Sequence, residues 1–237
     1  MRIKLLTLLS LILLISACGN SDVEDAIPAL DPDLGKSYFF LEPNKYREYD
    51  VYEIRYFAVD ISDTLEYQLR EEIRESFTNG SGQESRIVNR LIRNNDQEPW
   101  QLDSVWAARV ESELAISVEN NLPMVKRVFP VDTTRRWDIN QFNGRDAVIS
   151  KFKYFNEPYT VRLNTFLEAM EVEISNISDL ITFRDNRTEV YADSIGLVLK
   201  DYEVVKLCSR QECLGQNIVE SGRHYRETLI AHGFLDD

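Results

Sequence analysis

Soft nucleophiles, proton relays and metal ligands are scarce in this sequence, which has three cysteines (Cys18, Cys208, Cys213) and two histidines (His224, His232). Cys208 and Cys213 flank the tetrapeptide Ser-Arg-Gln-Glu. In an oxidising compartment that spacing reads as a short-loop disulfide, stabilising by roughly 2 kcal/mol on the chain-entropy account. The alternatives are a redox pair or half of a zinc site. A thioredoxin-like pair has two intervening residues, and zinc needs two further ligands that His224 or His232 would have to supply. Ser221 lies near His224, yet no G-x-S-x-G elbow, H-E-x-x-H helix or phosphate-cradling loop occurs. Asp31-Pro32-Asp33 and Asp185-Asn186-Arg187 are fragments of calcium-loop chemistry without the ligand count of a site, and read as solvated surface. Glu71 and Glu72 adjoin as chance allows among 40 acids. The expectation is no catalytic residue, no metal and no cofactor.

Cys18 has a different context. Arg2 and Lys4 precede an apolar run from Leu5 to Ile15 that is shorter than the about 20 residues a membrane-spanning helix needs. Such a run fits the apolar region of a secretory signal. Ile15-Ser16-Ala17-Cys18 resembles the bacterial lipobox, which implies diacylglyceryl transfer to the Cys18 sulfur and cleavage after residue 17. The alternatives are an ordinary signal cut after Ala17 or an uncleaved anchor. Two or more acyl chains give stable anchoring, so the expected partner is a membrane held through lipid on Cys18. Gly19 follows, without the aspartate that retains enteric lipoproteins in the inner membrane, and this favours the outer membrane. Asp22, Glu24 and Asp25 resemble acidic surface-export tags, or are simply a solvated linker. Periplasmic and surface faces both stay open.

The formal net charge is −13, and loss of Arg2 and Lys4 with the signal leaves 25 basic against 40 acidic side chains. That imbalance opposes nonspecific binding to nucleic acid and to anionic headgroups.

The elements that would position these groups are predominantly strands. Residues 18–37 read as an acidic flexible tether with Pro28, Pro32 and Gly35, and residues 38–237 as one β-rich domain. Tyr46–Phe57 is a strand whose alternation changes phase near Val51-Tyr52, implying a bulge. Leu65, Tyr67, Leu69, Ile73 and Phe77 fall on odd positions, Asn79–Gly82 makes a hairpin turn, and Ser85–Arg93 returns. Spacings of four leave a helical reading of 64–77 and 84–93 open. Trp106–Val118 and Met124–Phe129 form a hairpin around Glu119–Pro123, and Pro130 to Thr134 is a loop closed by Trp137. Asp146–Phe155 and Glu168–Ile174 continue the pattern, with a helical turn open for Phe166–Met170. Strands at Ile181–Phe183, Glu189–Tyr191, Gly196–Leu207 and His224–Ile230 complete it. Short strands with regular turns predict a mainly β fold with few short helices, as an antiparallel β-sandwich or an open half-barrel.

Phe39-Phe40-Leu41-Glu42-Pro43-Asn44-Lys45-Tyr46 resembles the "YFPLxxGxxWxY" opening of uncharacterised bacterial cell-envelope lipoproteins. Phe129-Pro130 with Trp137 resembles their second mark, and Glu189-Val190-Tyr191-Ala192-Asp193-Ser194-Ile195-Gly196-Leu197-Val198 their third, with Ser194 replacing a glycine. The resemblance implies a β-rich lipoprotein and no activity. Trp100, Trp106 and Trp137 either line a cleft or pack in the core, and Arg86, Arg90 and Arg93 either read an anion or pair with Glu71, Glu72 and Glu75. The expected function is a non-enzymatic binding or scaffolding domain, its partner an envelope protein or an apolar ligand and not nucleic acid. A carrier of lipid or lipidated protein with an apolar cavity, and a hydrolase built around His224, are the rival readings.

Overall fold

The computed structural model describes residues 31–179 and 181–235. Cys18 and its signal lie outside them. Apart from one turn of 3₁₀ helix, Lys36–Tyr38, the regular structure described is β. In chain order the strands are β1 Lys45–Ala58, β2 Ile61–Thr78, β3 Glu84–Arg93, β4 Gln101–Glu111, β5 Leu114–Glu119, β6 Leu122–Val128, β7 Arg136–Asp138, β8 Ile149–Val161, β9 Asn164–Ser178, β10 Phe183–Ala192, β11 Gly196–Leu207 and β12 Val219–Phe234. They form one antiparallel sheet in the order β6-β5-β4-β3-β2-β1-β12-β11-β10-β9-β8-β7. Every neighbour is also a neighbour in sequence except β1 and β12, which pair at the centre.

The two edges meet. Val125 N–H on β6 donates to the Ile139 carbonyl just past β7 at 2.9 Å, and the Trp137 indole on β7 donates to the Val125 carbonyl at 2.9 Å. The sheet is therefore curled nearly closed into a barrel, with buried Phe129, Trp137, Phe152, Met170 and Val172 packed beneath the seam. Of the two expected architectures the barrel holds, more nearly closed than an open half-barrel, and two stacked sheets do not form. Near-closure covers edge strands that would otherwise present unpaired backbone.

Period-two patterning decides most of the sheet. Leu69, Glu71 and Ile73 are buried in alternation on β2, and Tyr49 and Val51 on β1. Asn79 turns the β2–β3 hairpin by accepting from Ser81 and Gln83 N–H at 2.9 Å each, so the helical reading of 64–77 and 84–93 fails. Three details depart from expectation. The run Trp106–Val118 is two strands, β4 and β5, because Ser112 adopts φ 51° and turns the chain. The β1 irregularities fall at Glu48/Tyr49 and Tyr56/Ala58 rather than near Val51. Phe166–Met170 is strand, and Ile181–Phe183 is largely a turn in which the Asp179 carboxylate accepts from the N–H groups of 181, 182 and 183.

The barrel ends differ. Residues 31–44 cross one of them. Val131 N–H donates to the Leu34 carbonyl at 3.0 Å, Ser194 N–H to the Ser37 carbonyl at 3.2 Å, and Tyr38 is buried. The chain thus enters the barrel, from the side of Cys18, through a plugged end. The hairpins β1–β2, β3–β4 and β5–β6 and the β11–β12 loop lie at the other end.

Gly222 on β12 has φ +126°, and a Cβ there would stand 2.3 Å from the Val204 carbonyl oxygen. Gly82 has φ +79° with open space around it. Gly222→Ala is expected to cost about 3 kcal/mol and Gly82→Ala about 1 kcal/mol, measured by urea unfolding.

Candidate functional site

Alternation carries charge as well as apolar side chains into the lumen. Cross-strand partners share a face, so the register aligns Arg47, Glu71 and Arg90 across β1, β2 and β3. It aligns Glu189, Lys200 and Glu227 across β10, β11 and β12 in the same way. The two rows meet through the lumen, where Arg90 Nη2 donates to Glu227 at 2.8 Å while its Nε lies 3.4 Å from Glu71, itself 3.2 Å from Arg47. A bulge on β6 adds two more cations. Ala115 pairs with Arg127 and Ile116 with Val125, leaving Lys126 unpaired in the ladder, so the consecutive Lys126 and Arg127 both turn inward, Arg127 fully buried and Lys126 nearly so. Lys126 Nζ donates to Glu189 at 2.7 Å and lies 3.5 Å from Glu119.

Protonation follows from these contacts. Burial by itself would raise Glu189, but Lys126 and Lys200, with hydrogen bonds from Lys126 and Tyr191, hold it at about 2. Glu227 is likewise lowered against burial by Lys200, Arg90 and the Tyr225 hydroxyl. Lys126 is raised because Glu119 and Glu189 outweigh its burial. Arg127 behaves oppositely. Burial dominates and brings it down to about 10, with Tyr191 and Glu189 offsetting part of the cost. Its guanidinium lies 3.5 Å above the centre of the Tyr191 ring and 4.8 Å from that of Phe39, and none of its N–H groups has a well-directed protein acceptor.

Two spaces adjoin this lattice. A cavity of about 70 Å³ lies under the plug, against Phe39, Arg127, Tyr191 and Trp106. A basin of about 660 Å³ occupies the opposite, hairpin end, and the two share Trp106, Glu119 and Lys200 as walls. Six cations line the basin, namely Arg55, Arg90, Arg145, Arg187, Lys200 and Arg223, against Glu66, Asp103 and Glu119. Arg55 and Arg223 share the buried Glu53 at 2.5 and 2.7 Å, and Arg187 is held by Asp185 at 2.6 Å. Lys200 has no carboxylate within 4 Å among the described residues; its ammonium lies 4.9 Å from the Tyr202 ring centre and 5.9 Å from that of Tyr225. The arrangement can bind anions against aromatic faces.

Of the sequence candidates, Cys208 and Cys213 are joined as a disulfide with Cα atoms 5.8 Å apart, in the loop after β11. Cys18 lies outside the described residues. No cluster of three or more His, Cys, Asp or Glu placed to hold a metal occurs among the described residues, and no helix there is long and apolar enough to cross a membrane. His224 meets Asp201 at 2.8 Å in a separate groove with Lys153, Glu171 and Thr188, a lining with no serine or cysteine. Ser221 pairs with Lys206 further along the β11–β12 ladder. Trp137 is core, Trp106 lines the cavity over Arg90, and Trp100 stacks on Arg70 and Arg93. Arg90 pairs with Glu71 as anticipated, whereas Arg93 turns to Asp96 and Glu72 to Arg70 and Arg74. Asp185, read as solvated surface, is buried because it holds Arg187. Arg47, Lys126, Arg127, Lys200 and Glu227 were not singled out from the sequence. Their signal was there as charges in phase with buried apolar positions, for example Tyr225-Glu227-Leu229.

No protein-family profile matches the chain, and no curated protein matches it. Two solved structures are similar over most of their length. One is a Bacteroides fragilis protein described as an exported protein with a YmcC-like fold, at 10% identity and TM-score 0.43, covering 82% of this chain and 97% of that one. The other is a Parabacteroides distasonis protein described as a lipoprotein, at 9% identity and TM-score 0.40, covering 83% and 98%.

Glu189→Gln leaves Lys126 and Arg127 with one fewer buried counter-charge and is expected to cost about 3–5 kcal/mol at neutral pH. Since the folded carboxyl titrates near 2 and the free one near 4.5, that difference is complete above about 4.5 and shrinks as pH falls towards 2, read by denaturant unfolding across the range. In an NMR titration the two histidines should part. The Asp201 hydrogen bond raises His224 above 6.5, whereas burial and the nearby Lys45 and Arg47 charges lower His232 below it.

Proposed function

We propose that this chain is a lipid-anchored, non-enzymatic binding domain of the bacterial cell envelope, and that its ligand or partner presents negative charge to the basin at the hairpin end. One observation carries the reading. In a chain with an excess of 13 negative charges, the basin gathers six cations against three carboxylates, and one of the cations, Lys200, flanked in register by Glu189 and Glu227, rests on tyrosine faces with no carboxylate within 4 Å among the described residues. A wall that gathers cations in an acidic chain raises the local concentration of anions and favours a partner of negative charge. Polarity of the barrel supports it. The described chain begins at the plugged end, so the basin lies at the end of the barrel away from it.

An apolar carrier is not favoured. The cavity beneath the plug measures about 70 Å³, too small for an acyl chain, and its aromatic and aliphatic walls are interrupted by eight charged side chains. A hydrolase around His224 has its acid, Asp201, but no serine or cysteine beside them.

Two measurements test the reading. Cys18→Ala is expected to abolish fatty-acid labelling and membrane partition; a variant that still sediments with membranes contradicts the anchor. With labelled dextran sulfate as a generic polyanion at low salt, the mature protein should bind and Lys200→Glu with Arg223→Glu should bind at least about tenfold more weakly. Equal binding by both proteins contradicts the basin.

A further inference from the structure

Arg127 is a fully buried charge with no ion pair among the described residues. Its Nε, Nη1 and Nη2 all lie in the interior without a well-directed protein acceptor, although Tyr191 lies against them and favours the charge. Arg47, Lys126 and Arg90, by contrast, each meet a glutamate within 3.5 Å. The indole N–H of Trp106, on the wall of the same cavity, is also buried and unanswered. The charge count agrees. Arg47, Lys126, Arg127 and Lys200 line this space with Glu71, Glu119, Glu189 and Glu227, four against four, and Arg90, which does not line it, draws on Glu71 and Glu227 as well, so the lattice as a whole carries one cation more than carboxylates. Burial lowers Arg127 only to about 10, so the surplus persists at neutral pH. Folding keeps a guanidinium here although an apolar side chain of similar length would avoid the desolvation penalty.

From these observations we infer that the cavity beneath the plug is a binding site for one small oxyanion, a carboxylate or a phosphate-type group, received by the Arg127 guanidinium fork and the Trp106 indole N–H. The fork matches two oxygens of such a group. The Tyr191 and Phe39 rings, their centres 3.5 and 4.8 Å from the guanidinium carbon, restrain its position. A volume of about 70 Å³ accommodates an acetate- or phosphate-sized group and excludes anything much larger. The oxyanion is either free in solution or the end group of a longer molecule that reaches inward past Trp106, Glu119 and Lys200 from the basin. The site stands on Arg127 whether or not the basin takes a polyanion.

The test uses the mature protein with sodium acetate, sodium phosphate, a sodium hexuronate and sodium chloride at matched ionic strength. Acetate or phosphate at a hundredfold excess over its Kd should raise Tm by about 5 °C beyond chloride. Arg127→Met should lose that increment while Arg223→Gln, in the basin, keeps it. In ¹⁵N-tryptophan spectra of the wild-type protein, one of the three indole signals, assigned to Trp106 through Trp106→Phe, should move saturably with acetate. This readout decides the matter even if Arg127→Met does not fold. A hexuronate acting at lower concentration than acetate supports the site and marks the oxyanion as the end of a larger ligand; acetate alone acting supports it as a free ion. Equal Tm rises for all four salts, an increment retained in Arg127→Met, or an unmoved Trp106 signal would each overturn the inference.

Discussion

The contact between Arg90 on β3 and Glu227 on β12, spanning the lumen at 2.8 Å, ties together two rows of charge that the sheet builds independently. Each row follows from register, since a cross-strand neighbour of an inward residue must itself point inward. Once curvature faces the rows towards each other, the charges have to compensate or the barrel cannot close, because an uncompensated interior ion costs several kcal/mol. The hydrophobic cores beneath the seam and around Tyr49 and Leu229 supply adhesion. The ion lattice restricts how the sheet may curl, since a one-residue slip would move every charged member to the outer face.

The bulge on β6 shows how a small irregularity shapes what the lumen can do. Without it, Lys126 and Arg127 would point to opposite faces, and the interior would carry one cation fewer. With it, Lys126 completes the neutral lattice through Glu189, and Arg127 becomes the unmatched charge beside the cavity. Because β6 is also the edge that meets β7 at the seam, closure and the placement of that surplus are coupled.

The plug gives the barrel a direction. Gly35, at φ +87°, allows the entering chain to lie against Val131, where a Cβ would stand 2.2 Å from that side chain. Arg47 donates to the Phe40 and Ile195 carbonyls from inside, at 3.4 and 3.2 Å, so a member of the lumen lattice also anchors the plug. The end nearest Cys18 in sequence is thereby shut, and the end away from it stays open. The same lattice that balances the interior thus decides which face of the domain is available.

Strand identity and order of hairpins were legible in the sequence because they are local. Alternation in Leu65–Phe77, the Asn79–Gly82 turn and the Cys208–Cys213 spacing each resolve within a few residues, where side-chain period and turn chemistry act alone. The split of β4 from β5 escaped notice because Ser112 carries no strong turn signal, although it adopts a left-handed backbone there. The interior charges escaped for another reason. A glutamate or arginine in a strand looks the same in sequence whether it faces water or lumen, and which face is buried depends on the curvature of the whole sheet. Glu189 and Arg90, 99 positions apart, become members of one lattice only when β1 pairs with β12 and the edges meet. Composition and period determined that this chain forms an antiparallel β protein. Only tertiary structure decided that its charges converge inside and that one arginine is left without a partner, because charge compensation is a property of the distances among strands that the chain keeps far apart.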